Sequence, residues 1–345
     1  LNNFHNVLDE LEVALGSSEK AKELIRLFKN TYLKHESLAD ATRYLINELF
    51  GHYGLVILDG DHKKLKKKFI PIIKKDVLLQ GLKQTLINCS NNLAKEYKQQ
   101  AYVRDINFFR LSEKKRELIK KDITKSEIEE NPEQFSPNVL LRPLYQEIIL
   151  PNIAYVGGAA EIAYWMQLKT AFKQEEIPFP ILILRNSAML LNKNQNKERK
   201  KLDFLLTDLF LDENQLQKKF IMSQKKVDIS LQDEINNLEL LYDSVLMKVT
   251  DIGLQNSIKA QMKKQYKSFK EFEKKLLRLE KMKNENSLLK IKKLKANLFP
   301  NNSLQERHDN FSSFYLTYGE NFIEIMKKNL NPLTPNFVVL TPKDI

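Results

Sequence analysis

Hydrophobic and polar positions change their period along this chain, and each period predicts a different kind of element. Over the first fifty residues apolar side chains recur at helical spacing between caps. Ser17-Ser18-Glu19 opens a helix expected to run through Phe28, and Ser37 opens another through Phe50. Gly54-Leu55-Val56-Ile57-Leu58-Asp59 is then a short continuous apolar run bounded by Gly51 and Gly60. It predicts a buried parallel strand whose carboxyl end opens into a loop. Helices are expected over Leu65 to Ile73 and Val77 to Lys98, and a strand at Ile106–Leu111.

Between Asn152 and Leu191 the pattern is the most informative. Ile153-Ala154-Tyr155-Val156 reads as a strand, Gly157-Gly158 as a tight turn and Ala159 to Gln174 as a helix. Pro178 and Pro180 stop that helix, and Ile181-Leu182-Ile183-Leu184 supplies the next strand. A βαβ unit implies parallel strands with a right-handed crossover. Ligands of such sheets bind beyond the carboxyl ends of the strands. That directs attention to Gly157, Gly158 and Glu161 after one strand, and to Arg185, Asn186 and Ser187 after the next.

A polar tract to Lys201 then gives way to a wholly helical pattern. Ile235, Leu238, Tyr242, Val245, Val249 and Ile252 make one coiled-coil seam, which Asp251-Ile252-Gly253 breaks. Ile258, Met262, Tyr266, Phe269, Phe272, Leu276, Leu279 and Met282 make a second, with a mean spacing near 3.5. Two seams joined at a short turn predict an antiparallel helical hairpin, whose apolar stripe calls for a second copy of the chain. The helical stretch is expected to end near Leu298, with Pro300 closing it.

Composition adds limits to this picture. Hydrophobic residues make up 42% and charged residues 29% of the 345, an ordinary balance for a folded globular protein. One cysteine, Cys89, cannot form an internal disulfide, and no signal peptide is visible, so a reducing cytoplasm is expected. No apolar run approaches the roughly eighteen residues of a membrane span. The chain starts at Leu1 and enters a helical pattern almost at once, as an internal segment would. The net charge of +12 is concentrated: residues 259–295 hold fourteen Lys or Arg against four Glu, and residues 61–75 hold seven Lys against one Asp. Charge confined to one helical stretch and one loop junction reads as solvated faces rather than a specific nucleic-acid surface. Salt-sensitive attraction to polyanions is still expected of it.

Few residue patterns carry chemistry on their own. The five histidines are dispersed without ligand spacing, so no metal site is expected. There is no Gly-x-Ser-x-Gly elbow, and Cys89 sits in a helical pattern without signs of activation. Gly157-Gly158-Ala159-Ala160-Glu161 lets the backbone approach a ligand and presents helix N–H groups to an anion. Glu161 equally well caps the helix. Tyr164 and Trp165, one turn on, read as core or as contacts. Arg142, ahead of Pro143, is either a salt-bridge partner or an anion binder. Arg307 has the same two readings in the turn that leaves the hairpin.

At these segments the sequence resembles a known family. FSPNVLLRPLYQ (Phe135–Gln146), LPNIAYVGGAAEIAYW (Leu150–Trp165), Arg185-Asn186-Ser187-Ala188 and LFPNNSLQERHD (Leu298–Asp309) closely resemble the bacillithiol biosynthesis cysteine-adding enzymes. The resemblance spans essentially the whole chain. It implies an α/β fold: a Rossmann-like parallel-sheet core with connecting insertions, incomplete at its N-terminus, plus a long helical coiled-coil hairpin used for homodimerisation. The chain is expected to be roughly the family's C-terminal two-thirds, with the core over 1–197, the coiled coil over 198–297 and a returning segment over 298–345. The implied reaction is a ligation, adding cysteine to glucosaminyl-malate in the last step to bacillithiol. Candidate catalytic residues are Glu161, Arg142 and Asn138, and candidate substrate-binding residues are Gly157, Gly158, Glu161 and Tyr164. An adenine nucleotide, ATP or ADP, is expected on Arg185, Asn186, Ser187, Asn301, Ser303 and Arg307, with Tyr315 and Tyr318 stacking on the base. The alternatives are a basic coiled-coil nucleic-acid binder and a purely structural dimerisation module.

Overall fold

The computed structural model describes residues 4–112, 115–119, 123–223 and 230–344. The chain divides into two compact units, Leu1–Ser187 with Phe311–Asn336, and Ala188–Asn310 with Phe337–Ile345. The first division therefore falls ten residues before the expected boundary at 197.

The first unit opens with three helices, α1 (Phe4–Leu15), α2 (Glu19–Leu33) and α3 (Leu38–Phe50). Ser18 and Ser37 cap α2 and α3 as expected, each accepting a backbone N–H from the first turn. The run Gly54–Asp59 corrects the sequence reading, because it forms no strand. Leu55, Val56 and Leu58 are 48%, 69% and 43% exposed. Apolar character alone does not make a strand; a ladder must take up the backbone N–H and C=O groups, and no described strand pairs here.

Next come α4 (Lys63–Lys67), α5 (Ile70–Leu79) and α6 (Lys83–Leu93). The breaks fall elsewhere than expected. Pro71 sits in the first turn of α5, and Gln80 adopts a left-handed φ of 51° at its end. The Gly81 and Gln80 N–H groups bond back to Lys75 and Asp76, a Schellman closure on a residue that rarely supplies one. A small antiparallel sheet follows, made of β1 (Phe108–Leu111), β2 (Arg116–Leu118) and, after α7 (Lys125–Glu130), β3 (Phe135–Pro137) in the order β2-β1-β3. Helix α8 (Arg142–Ile149) starts at Arg142 with Pro143 in its first turn, where the missing N–H costs nothing.

The βαβ unit then forms as the sequence indicates. β4 (Ala154–Gly157) and β5 (Ile181–Leu184) pair in parallel, Ala154 opposite Ile181 and Gly157 opposite Leu184. Between them lie α9 (Ala159–Trp165), one 3-10 turn and α10 (Lys169–Gln174). Phe69, Phe108, Phe135, Leu144, Trp165 and Phe172 form the heart of this unit's core.

The second unit is mostly helical: β6 (Ser187–Leu190), α11 (Lys193–Lys201), α12 (Glu213–Ser223), α13 (Gln232–Leu246), α14 (Ile252–Lys283), α15 (Glu285–Leu298) and α16 (Gln305–His308). The chain returns to the first unit for α17 (Phe311–Tyr318) and α18 (Asn321–Asn329), with Phe311 edge-on to Phe28 of α2. It ends with β7 (Phe337–Leu340), which pairs with β6. Residues 188–197 thus belong to the helical unit because β6 is completed by the C-terminal strand and by Gln305, whose side chain takes the Leu190 N–H. Of the expected returning segment, only residues 311–336 join the first unit.

In the hairpin, Asp251 rather than Gly253 makes the break. Its carboxylate caps α14 by accepting the Leu254 N–H at 2.7 Å, and Gly253 lies inside the helix. Ile252, placed in the first seam by spacing, is the first residue of α14. The second seam also divides: Ile258, Met262, Phe269 and Leu276 are half-buried, whereas Tyr266, Phe272, Leu279 and Met282 are exposed.

Candidate functional site at the carboxyl end of the parallel strands

The short parallel pair ends at Gly157 and Leu184, and two groups of residues meet there. The Arg185 N–H donates to the Gly157 carbonyl at 2.8 Å, so the chain leaving β5 is fixed to the Gly-Gly turn leaving β4. The Gly158 N–H donates to Glu161 Oε2 at 2.9 Å, closing a capping box over the start of α9. The other carboxylate oxygen of Glu161 lies 3.6 Å from Arg142 Nη2. Arg142 in turn donates to the Tyr164 hydroxyl at 2.6 Å.

Arg142, Glu161, Tyr164, Gly157, Gly158 and Arg185 are therefore gathered at one place. Glu161 takes its capping role, with both oxygens engaged, and it positions the turn rather than standing free as a base. Arg142 takes the salt-bridge reading and is still half-exposed. Burial opposes its charge, but Tyr164, Tyr155 and Glu161 outweigh that and hold its pKa above the ordinary arginine value. Tyr164 is buried, with its hydroxyl turned to Arg142. Tyr155 stacks on Trp165 with ring centroids 4.1 Å apart, and burial, then Glu161 and Tyr164, raise its phenol.

The two glycines differ. A Cβ on Gly157 would lie 2.5 Å from the Tyr155 ring, so only glycine leaves that ring on Trp165. A Cβ on Gly158 would make ordinary contacts, 3.6 Å to Glu161 and 3.7 Å to the Arg185 guanidinium. Gly158 is buried beneath these two side chains, not open at the surface. Arg185 itself is exposed, and its guanidinium has no ion pair among the described residues. An exposed guanidinium with no ion pair, set beside a glycine turn that adds no side chain of its own, suits an anion such as a carboxylate or phosphate.

Asn138 lies elsewhere. It is buried, its Oδ1 accepts the Leu140 and Leu141 N–H groups, and its Nδ2 donates to Asn107 Oδ1 at 2.8 Å. Asn107 continues to Asp76, which is fully buried and whose carboxyl is pushed up to about 6 by that burial, against the hydrogen bonds from Asn107. This network leaves Asn138 no free polar atom for a substrate, which corrects its place among the catalytic candidates.

The expected nucleotide residues are divided between the two units. Arg185, Asn186, Ser187, Tyr315 and Tyr318 belong to the first unit, and Asn301, Ser303 and Arg307 to the second. The Asn186 amide is spent on the Asn331 and Thr334 carbonyls. Asn301 sits at a left-handed φ of 52° in a turn, and Arg307 lies beside its neighbour Glu306. Tyr315 lines a cavity rimmed by glutamates, the wrong sign of charge for phosphates.

Sequence reasoning also missed Lys66. Counted within a solvated charge run, it is 1% exposed, donates to the Phe135 carbonyl at 2.9 Å and pairs with Asp61 at 2.9 Å. Its ammonium lies 5.2 Å from the centroid of the Tyr145 ring, a partner distant in sequence that no local pattern announces.

A parallel strand pair with a Gly-Gly turn, joined to a separate unit of long paired helices, defines a Rossmann-like domain followed by a coiled-coil domain. Family models match both parts: "Bacillithiol biosynthesis BshC, N-terminal Rossmann-like domain" over residues 1–186 and "Bacillithiol biosynthesis BshC, C-terminal coiled-coil domain" over residues 188–342. The chain belongs to this family. Among its relatives, the protein named "Putative cysteine ligase BshC" of Flavobacterium psychrophilum is 41% identical over 99% of this chain and 67% of the relative. That of Flavobacterium johnsoniae is 41% identical over 97% of this chain and 66% of the relative. That of Cytophaga hutchinsonii is 32% identical over 92% and 64%. The chain thus spans about two thirds of the length of these relatives.

Proposed function

We propose that this chain is part of a ligase that adds cysteine to glucosaminyl-malate, forming a carbon–nitrogen bond in the last step of bacillithiol biosynthesis. The observation that carries the proposal is the family match across both units, together with relatives whose name states a cysteine ligase. At the residue level, the reading rests on the carboxyl end of β4 and β5. There Arg185 offers an uncommitted guanidinium above the Gly157-Gly158 turn, and Glu161 and Arg142 hold the turn in place. Malyl carboxylates are anions of the kind this arrangement accepts. An adenine nucleotide is proposed as co-reactant, with the Arg185 guanidinium as its contact in the first unit, where the Asn186 amide is engaged by the Asn331 and Thr334 carbonyls. The coiled coil is proposed to join two copies in the cytoplasm.

The test is an Arg185→Ala variant of the intact enzyme, assayed for ligation by mass spectrometry. Loss of one charge-assisted contact costs about 1.5–3 kcal/mol, so kcat/KM should fall roughly tenfold to a hundredfold, mostly through KM for the anionic substrate. Unchanged kinetics would move the anion site away from β5.

A further inference from the structure

Two guanidiniums, not one, border the turn at the end of β4. Arg185 adjoins Gly158, its Cζ 3.7 Å from where a Cβ of that residue would stand. Arg142 adjoins Glu161, its Nη2 3.6 Å from Oε1. Gly158 and Glu161 are themselves joined by the 2.9 Å capping hydrogen bond, so both cations border one turn of backbone at the start of α9.

Arg142 is held in place without being used up. A guanidinium carries five N–H donors in a planar fork. Here Nη2 donates to the Tyr164 hydroxyl at 2.6 Å, and its approach to Glu161 is longer than a hydrogen bond. Nε and Nη1 have no hydrogen bond or ion pair among the described residues. Tyr164 of α9 is buried, whereas the Arg142 side chain is 52% exposed. A packed phenol therefore orients the fork and leaves donors over for a ligand. An arginine that is already oriented loses less freedom when it binds a carboxylate.

We propose that Arg142 determines specificity for a dicarboxylate: Arg185 takes one carboxylate of the malyl group and Arg142 takes the other. This rests on the reading of the chain as part of a glucosaminyl-malate ligase. Two guanidiniums against the single carboxylate of Glu161 leave positive charge in excess at the turn, and Glu161 spends its hydrogen bond on the Gly158 N–H. An anion with one carboxylate satisfies Arg185 and leaves Arg142 to solvent. An anion with two, separated by a short carbon chain, engages both. Selection comes from the contact that only the second carboxylate makes. Tyr164 is the positioning residue, because its hydroxyl sets the direction of the Arg142 fork.

Two compounds that differ by that carboxylate test this, glucosaminyl-malate and its glucosaminyl-lactate analogue. Each is titrated by calorimetry at fixed salt into the intact enzyme and its variants, and ligation to cysteine is followed separately by mass spectrometry. Wild type should bind the malyl compound about tenfold more tightly than the lactyl one, the effect of one charge-assisted contact. Arg142→Met should bring the two affinities together by weakening the malyl compound alone, whereas Arg185→Ala should weaken both. Tyr164→Phe keeps the packed ring and removes only the hydroxyl. It should narrow the ratio, and it repeats the test should Arg142→Met unfold. Equal binding of the two compounds by wild type, or a ratio that survives in both the Arg142 and Tyr164 variants, would overturn the proposal. Discrimination in binding with no ligation of either compound would support the clamp and contradict the ligase reading, so the two fail separately.

Discussion

At the scale of single residues, adjacent glycines at the end of β4 do different work, and substitution separates them. Gly157→Ala drives a methyl group into the Tyr155 ring and displaces it from Trp165, an overpacking cost of about 1–3 kcal/mol. Trp165 is the chain's one tryptophan, so its fluorescence should change together with a lowered melting temperature. Gly158→Ala should leave both unchanged, because its Cβ meets only ordinary contacts at a φ of −69°. Equal effects at the two positions would contradict this packing. Asp76 gives a second residue-level prediction. With a folded pKa of about 6 against an ordinary value near 3.9, the native state holds this proton more tightly than the unfolded chain. Its contribution is therefore fully present below about pH 4 and is lost as pH rises through about 6, roughly 3 kcal/mol in all at about 1.4 kcal/mol per pK unit. Urea midpoints of wild type and Asp76→Asn, measured from about pH 4 to 7, should diverge with that slope, whereas parallel curves would show Asp76 ionised throughout. Neither the Asp76–Asn107–Asn138 network nor the burial of Lys66 was legible in the sequence, because polar residues announce their partners only once the chain has folded.

Elements were legible in proportion to how local their causes are. The serine caps of α2 and α3, and the β4–α9–α10–β5 unit, follow from neighbouring residues and appeared where the pattern put them. The run Gly54–Asp59 failed because a strand depends on a partner distant in sequence, and the break at Gln80 was hidden because glutamine seldom takes left-handed backbone. The second coiled-coil seam was read as one stripe, but α14 has two. Leu276 packs on the core of its own unit, whereas Leu279 and Met282 are 55% and 68% exposed. That division decides which variant tests self-association. Leu279→Asp with Met282→Asp should turn the proposed dimer into a folded monomer by light scattering, with helix content retained. Leu276→Asp should instead destabilise the unit itself by about 2–5 kcal/mol, through lost core contact and a buried carboxylate, and so lower its melting temperature. A dimer that survives the double change would place the interface on another face.

At the scale of the whole molecule, the division at Ser187–Ala188 coincides with the division between the two matching family models, and no helix among the described residues is long and apolar enough to cross a membrane. The resemblance read from Phe135–Gln146, Leu150–Trp165 and Leu298–Asp309 identified the family before the fold was known. The return of residues 311–336 to the first unit was not legible, since it depends on which distant segments pack together within that unit. The central claim is that this gene supplies the step joining cysteine to glucosaminyl-malate. It is tested most directly by mass spectrometry of the thiols in cells that carry the gene, with and without it. Deletion should abolish bacillithiol while glucosaminyl-malate accumulates, and restoring the gene should reverse both changes. Bacillithiol at undiminished levels in the deletion strain would contradict the account.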